Sequence, residues 1–236
     1  MLTVTTPAQG LYRIHFFDTP VVAAFTGREF PRARFPDFLK VLDLKPENLY
    51  LVNQKHTARI VKISQASPVP DTEPADGLWT AEEGIVLGIR TADCIPAFFY
   101  HPEQGRIGLA HAGWRGLQAE ILPAMAAALT DGKRAAAKSL KVFLGPCVGG
   151  CCYEVGPEFK SFFPKEYRVP VSKERGCVDL VEVAKRQLAE SGLLAENVQA
   201  SGYCTACHKD RFYSVRGDGG TEERMLSIIT RVRLSS

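Results

Sequence analysis

The chain of 236 residues is 45% hydrophobic and 23% charged, enough length and apolar content to bury one sizeable core in a single domain over residues 1–236. Its 29 basic and 26 acidic side chains leave a formal net charge of +3, and the basic residues are scattered, which argues against nucleic acid as a partner and leaves small anions open. No apolar run reaches the roughly 18 residues of a membrane span, and MLTVTTPAQGLYRIHFF lacks the basic start and long apolar stretch of a signal peptide, so a cytoplasmic protein without a membrane partner is expected.

Apolar and β-branched runs predict strands, and amphipathic runs with Gly or Pro stops predict helices. In chain order these are a strand at Val21–Thr26, a helix within Pro31–Leu42, and strands at Leu49–Val52, Ile60–Ile63, Gly84–Arg90, Ile95–Tyr100 and Arg106–Ala110. A helix over Gly116–Leu129, a strand at Lys141–Leu144, helices over Pro157–Phe163 and Val178–Ser191, and strands at Val198–Ser201 and Met225–Arg233 complete the series. The Pro-rich stretch Ser67–Pro74 reads as a surface loop. No steady βαβ rhythm appears, so the class expected is α+β with mixed sheets, not a doubly wound parallel sheet. No GxGxxG follows a strand and no GxxxxGK[ST] occurs, which removes the usual dinucleotide and P-loop signatures.

The stretch from Thr91 to His111 reads as a β-hairpin. If Tyr100 pairs with Gly105, Cys94 falls opposite His111, where a thiolate and an imidazole can share one metal ion. His111 is followed by Ala112-Gly113-Trp114-Arg115-Gly116, a tight turn into the expected helix. The backbone N–H groups around Gly113 and Gly116, with the Arg115 guanidinium, are therefore candidate anion donors. A catalytic zinc usually takes three protein groups. His56, between two strand-like runs, is the best placed of the remaining histidines, though position alone leaves His15, His101 and His208 open.

Seven cysteines in a chain of this size point to reduced thiols, not a disulfide framework. The cluster Cys147, Cys151 and Cys152 and the pair Cys204-x-x-Cys207 followed by His208 invite a second metal or a redox reading, but a lone CxxC is a weak metal signal, and Gly145-Pro146-Cys147 with Gly149-Gly150 reads as a turn that lines or supports the site.

With these pieces in hand, the chain resembles the YfiH family, also called the laccase-domain or multicopper polyphenol oxidoreductase family and more recently purine nucleoside phosphorylases. The matching residues cover most of the chain: Asn53-Gln54-Lys55-His56, Ala75-Asp76-Gly77-Leu78, Thr91-Ala92-Asp93-Cys94, Ala110 to Gly116, Leu144 to Gly149, Cys152 to Gly156, Cys204-Thr205 and Arg211-Phe212-Tyr213-Ser214. The resemblance implies a zinc on His56, Cys94 and His111. It also implies mixed sheets sandwiched between helices in α/β/β/α layers, similar to the catalytic domain of cytotoxic necrotizing factor. The activity implied is phosphorolysis of adenosine, inosine, guanosine or methylthioadenosine, with adenosine deamination as a side activity. Departures from the family pattern fall at Thr57, after Phe25-Thr26-Gly27-Arg28, and at Glu222-Glu223-Arg224, parts expected to frame the substrate pocket.

Phosphorolysis needs an anion pocket, for which Arg115, Gly113, Gly116 and Arg28 are the candidates, with Arg211 and Arg216 behind them. Deamination needs a carboxylate that moves protons, and Asp93 and Asp76 are the candidates; Asp93 is equally readable as a structural cap. Three alternatives compete. A cysteine hydrolase, including one editing cell-wall peptide precursors, would use Cys94 as nucleophile and His111 as base. A copper polyphenol oxidase is disfavoured because five histidines are too few for a multicopper centre, although copper outcompetes zinc at many sites. The last is a zinc-stabilised binding module without turnover.

Overall fold

The apolar runs Val21–Thr26 and Ile95–His101 are buried at every position, the pattern of a strand covered on both faces. The computed structural model describes residues 3–16, 19–67, 69–157, 159, 168–170 and 176–232. In chain order the elements are β1 (Thr3–Ala8), β2 (Leu11–His15), β3 (Val21–Thr26), α1 (Phe35–Val41), β4 (Leu49–Tyr50), β5 (Ile60–Lys62) and β6 (Gly77–Thr80). There follow β7 (Val86–Thr91), β8 (Ile95–His101), β9 (Arg106–Ala112), α2 (Trp114–Gln118), α3 (Ile121–Thr130) and β10 (Lys141–Leu144). The last are β11 (Glu154–Val155), β12 (Arg168–Pro170), β13 (Gly176–Val178), α4 (Leu180–Glu190), β14 (Val198–Ala200) and β15 (Met225–Arg231).

One sheet runs β1-β2-β3-β15-β7-β4 and a second runs β14-β10-β8-β9-β6-β5, with a small β11-β13-β12 sheet beside them. Both large sheets are mixed, because β4 lies parallel to β7, β5 to β6 and β10 to β14. Side chains that alternate along each strand sort into separate cores. Phe25, Leu87, Ile89, Phe98, Leu109 and Ile229 fill the space between the sheets. Val86, Leu226 and Ile228 face outward against Phe35, Phe38 and Leu39 of α1. Ile95, Ala97 and Phe99 face the other way, against Leu122, Met125 and Leu188 of α3 and α4. The result is the helix, sheet, sheet, helix layering expected for this α+β chain. No helix among the described residues is long and apolar enough to cross a membrane.

Three departures matter for the site. First, β8 runs one residue further than expected, so that His101 pairs with Arg106 and Pro96 with His111. Cys94 therefore falls opposite Gly113, not opposite His111. The slip is of two positions, which preserves the face each side chain points to, so Cys94 and His111 remain diagonal neighbours within reach. Second, the helix expected over Gly116–Leu129 is broken into α2 and α3, because Glu120 takes a left-handed conformation at φ 61°. Third, β1, β2 and β6 lie where no strand was expected. β1 is almost wholly exposed and so lacks an apolar signal, and β6 is only four residues long and opens on glycine. The helix expected over Pro157–Phe163 falls, apart from Pro157 and Phe159, outside the described residues, as does Arg233 at the end of the last expected strand.

Candidate metal centre and cavity

Both connections that carry the cluster pass from one large sheet to the other. The segment between β4 and β5 holds His56, and the turn between β7 and β8 holds Cys94. His111 projects from the end of β9. The ligand atoms of His56, Cys94 and His111 all lie within 4.8 Å of one another. Cys94 Sγ is 4.0 Å from His56 Nε2, and the two imidazole rings meet edge to face with centroids 4.8 Å apart.

Asp76, fully buried just before β6, organises this arrangement. Its Oδ2 accepts from the Lys55 and Thr57 N–H groups at 3.1 and 2.7 Å and from Thr57 Oγ1 at 2.9 Å. Its Oδ1 accepts from His56 N–H at 3.0 Å and pairs with His111 Nδ1 at 2.8 Å. The carboxylate thus holds His56 in its left-handed conformation, φ 59°, and fixes the His111 ring so that Nε2 is the nitrogen left to bind. Burial alone would raise the Asp76 pKa, but the bonds from His111 and Thr57 outweigh it and hold the carboxyl at about 2.

Burial likewise opposes charge on Cys94, yet His111 and His56 beside it bring the thiol down to about 6. The same partners act on His111, where burial is outweighed by Cys94 and Asp76 and the pKa rises. A side chain at Gly113 would place Cβ 2.7 Å from Cys94 Sγ and 3.3 Å from His56 Cδ2, so this glycine is what lets the thiol and the ring approach. Two imidazoles and an activated thiol, gathered on a rigid frame, match the donor preferences of zinc.

The cluster opens into a cavity of about 480 Å³ whose wall includes Asn53, Gln54, Val215 and Glu222. Arg32, Arg90 and Arg224 line it as well. Burial disfavours charge on Arg90, and the charges of Arg32 and Arg224 push its pKa down further, against an opposing effect of Asp71. Among the described residues none of these three guanidinium groups forms an ion pair with a carboxylate. Three like charges around one hollow favour an anionic occupant.

The other expected site residues stand elsewhere. Asp93 turns its carboxylate into the C-terminal segment, accepting from Thr205 Oγ1 and Ser214 Oγ at 2.6 Å each and from Arg216 N–H at 2.8 Å. It is the anchor of the turn that carries Cys94, with φ 83°. Arg115 is exposed and lies over the Trp114 ring at 4.2 Å. Gly116 packs against the His111 carbonyl and Ile121, and α2 is a helix of only five residues. Arg28 is held by Asp218 at 2.6 Å and stacks on Tyr213, and Arg216 bonds the Glu154 carbonyl. Sequence reasoning missed the three cavity arginines. Two signals pointed to them: Arg90 immediately precedes Thr91-Ala92-Asp93-Cys94, and Arg224 closes the Glu222-Glu223-Arg224 departure.

The family model described as multi-copper polyphenol oxidoreductase laccase matches residues 32–232. The purine nucleoside phosphorylase YlmD of Geobacillus stearothermophilus is 34% identical over 195 residues, covering 75% of this chain and 70% of that protein. A purine nucleoside phosphorylase of Aquifex aeolicus is 34% identical over 186 residues, 78% of this chain and 82% of that protein. The crystal structure of YlmD from Geobacillus stearothermophilus superposes with a TM-score of 0.89 at 26% identity, over 99% of this chain and 100% of that one.

Proposed function

Because this chain belongs to the multi-copper polyphenol oxidoreductase laccase family, we propose that it is a zinc-dependent purine nucleoside phosphorylase whose nucleoside and phosphate meet in the cavity above His56, Cys94 and His111. The observation that carries the reading is the joining of two unlike features in one hollow, a metal-ligand cluster and three arginines that form no ion pair with a carboxylate among the described residues. The cavity volume of about 480 Å³ falls within the range of small-molecule sites. The relatives named as phosphorylases supply the chemistry that fits both halves.

In phosphorolysis a phosphate oxygen forms a bond to the sugar carbon as the bond from that carbon to the purine nitrogen breaks, and the departing base takes up the proton that the attacking hydrogen phosphate gives up. Arg32, Arg90 and Arg224 hold and orient the phosphate, and their charge stabilises it against its own repulsion with other anions. Gln54 braces Arg90, since its amide exchanges two bonds of 2.8 Å with the Arg90 backbone. His111 keeps its proton on Nδ1, shared with Asp76, and offers Nε2. Zinc held by His56, Cys94 and His111 would polarise a substrate oxygen or nitrogen.

For deamination of adenosine the carboxylate that moves protons would be Glu222, which lines the cavity, since Asp93 and Asp76 are both spent on holding loops. The low pKa of Cys94 beside His111 favours the cysteine hydrolase as the second reading.

The test is phosphate-dependent release of hypoxanthine from inosine by zinc-loaded protein. Arg90→Gln and Arg224→Gln raise KM for phosphate at least about tenfold, the scale of one lost charge-assisted contact, while zinc content stays unchanged; Cys94→Ala loses the zinc of the His56 cluster and turnover together. Zinc-loaded protein that releases no base, with a Cys94 that iodoacetamide alkylates rapidly, refutes the phosphorylase in favour of the hydrolase.

A further inference from the structure

Far along the chain from the His56 cluster, Cys151, Cys152, Cys204 and Cys207 bring their sulfurs within 4.8 Å of one another. Cys207 Sγ lies 3.5 Å from Cys151 Sγ and 3.4 Å from Cys152 Sγ. Four sulfurs around a tetrahedral zinc, each bonded at about 2.3 Å, sit about 3.8 Å apart, and the observed pairs need only small outward movement to reach that. A disulfide requires about 2.05 Å, and Cys207 stands almost equally far from two candidate partners. We propose that these four cysteines form a second, structural metal site of tetrathiolate type that takes zinc.

The backbone around the cluster is built for sulfur ligands. Gly149 N–H donates to Cys204 Sγ at 3.2 Å, the kind of bond that orients a metal-bound thiolate. A Cβ on Gly149 would stand 3.3 Å from Cys151 Sγ and 3.5 Å from Cys204 Sγ, so glycine leaves room for both. The two arms are already paired next to the sulfurs, where Thr205 N–H donates to the Cys147 carbonyl at 2.9 Å. With four protein ligands the site is closed and supplies no open position for chemistry. What it does is clip residues 147–153 to residues 203–216, the segment whose Thr205 and Ser214 hold Asp93 and so the turn of Cys94. A clip across more than fifty residues of chain removes much loop freedom from the unfolded state.

The proposal concerns a separate site and stands or falls apart from the phosphorylase reading. Its test is elemental analysis of full-length protein purified under reducing conditions, without chelator, from zinc-supplemented cells. Cys94→Ala should hold one zinc ion per chain, and wild type one more than Cys207→Ser, whatever the His56 cluster holds. Cobalt exchanged into Cys94→Ala should give the intense visible bands and sulfur charge-transfer absorption of a tetrathiolate. If Cys207→Ser fails to fold, Cys94→Ala still decides. A folded Cys94→Ala protein without metal overturns the proposal, as does wild type with two thiols fewer in denaturant, the mark of a disulfide.

Discussion

Asp76→Asn is the substitution that most directly separates a frame from a ligand. The shape is kept, but one acceptor oxygen becomes an NH₂ group, and five contacts from Lys55, His56, Thr57 and His111 lose their charged acceptor. The carboxyl sits at about 2 against its ordinary 3.8, a difference worth about 2.5 kcal/mol. Setting an NH₂ group against the buried His111 ring and the part-buried N–H groups around it adds to this, so metal-free Asp76→Asn should be less stable by about 3–5 kcal/mol. The folded pKa is depressed, so the carboxylate's contribution is complete above about pH 4 and lost as pH falls through about 2; the gap between wild type and variant should narrow over that window. Freed from its partner, His111 loses the fixed orientation of Nε2, and zinc affinity should fall about 10–100-fold. Urea unfolding of metal-free protein at several pH values and zinc competition against a chromophoric chelator measure the two effects. A variant that unfolds like wild type at pH 7 and keeps its zinc affinity would refute the assignment of Asp76 as the organiser of the cluster.

Two further substitutions test neighbouring parts of the argument. Gly113→Ala has an acceptable backbone, φ −79°, but its Cβ would meet Cys94 Sγ at 2.7 Å; the chain should fold and bind zinc at least about tenfold more weakly, since ligand geometry is what the glycine protects, and unchanged affinity in the chelator competition would contradict that role. His101 is fully buried with neither ring nitrogen partnered among the described residues, and burial lowers its pKa from 6.5. Removing an unsatisfied buried group relieves about 1–3 kcal/mol, so His101→Leu should raise the thermal midpoint by several degrees at pH 7. Because the unfolded chain binds the proton more readily, that advantage should widen as pH falls below 6.5; a melting series showing the reverse would refute it.

The central strands were legible because residues such as Leu87, Phe98 and Leu109 are apolar on both faces, a signal carried by each strand alone. The hairpin was legible in kind and misplaced in register, because whether His101 ends a strand or starts a turn depends on tertiary burial of its ring. The ligand positions survived the error, since two steps along a strand restore the same face. Arg32, Arg90 and Arg224 were not legible as a group, for they come from three parts of the chain and converge only through the packing of the sheets. The four clustered cysteines were undervalued for the same reason: Cys151 and Cys152 sit next to each other, but their partners arrive from a distant turn.

His56 and Cys94 ride on two of the connections that cross between the large sheets, and this makes the cluster a strain gauge for the seam between them. Any opening that lets the sheets slide apart must pull the ligand triad open, so an ion that prefers the closed triad biases the whole sandwich toward closure by RT ln(1 + [L]/Kd). Amide exchange in strands far from the ion, on both sheets, should therefore slow together when zinc binds, even though only three side chains touch it.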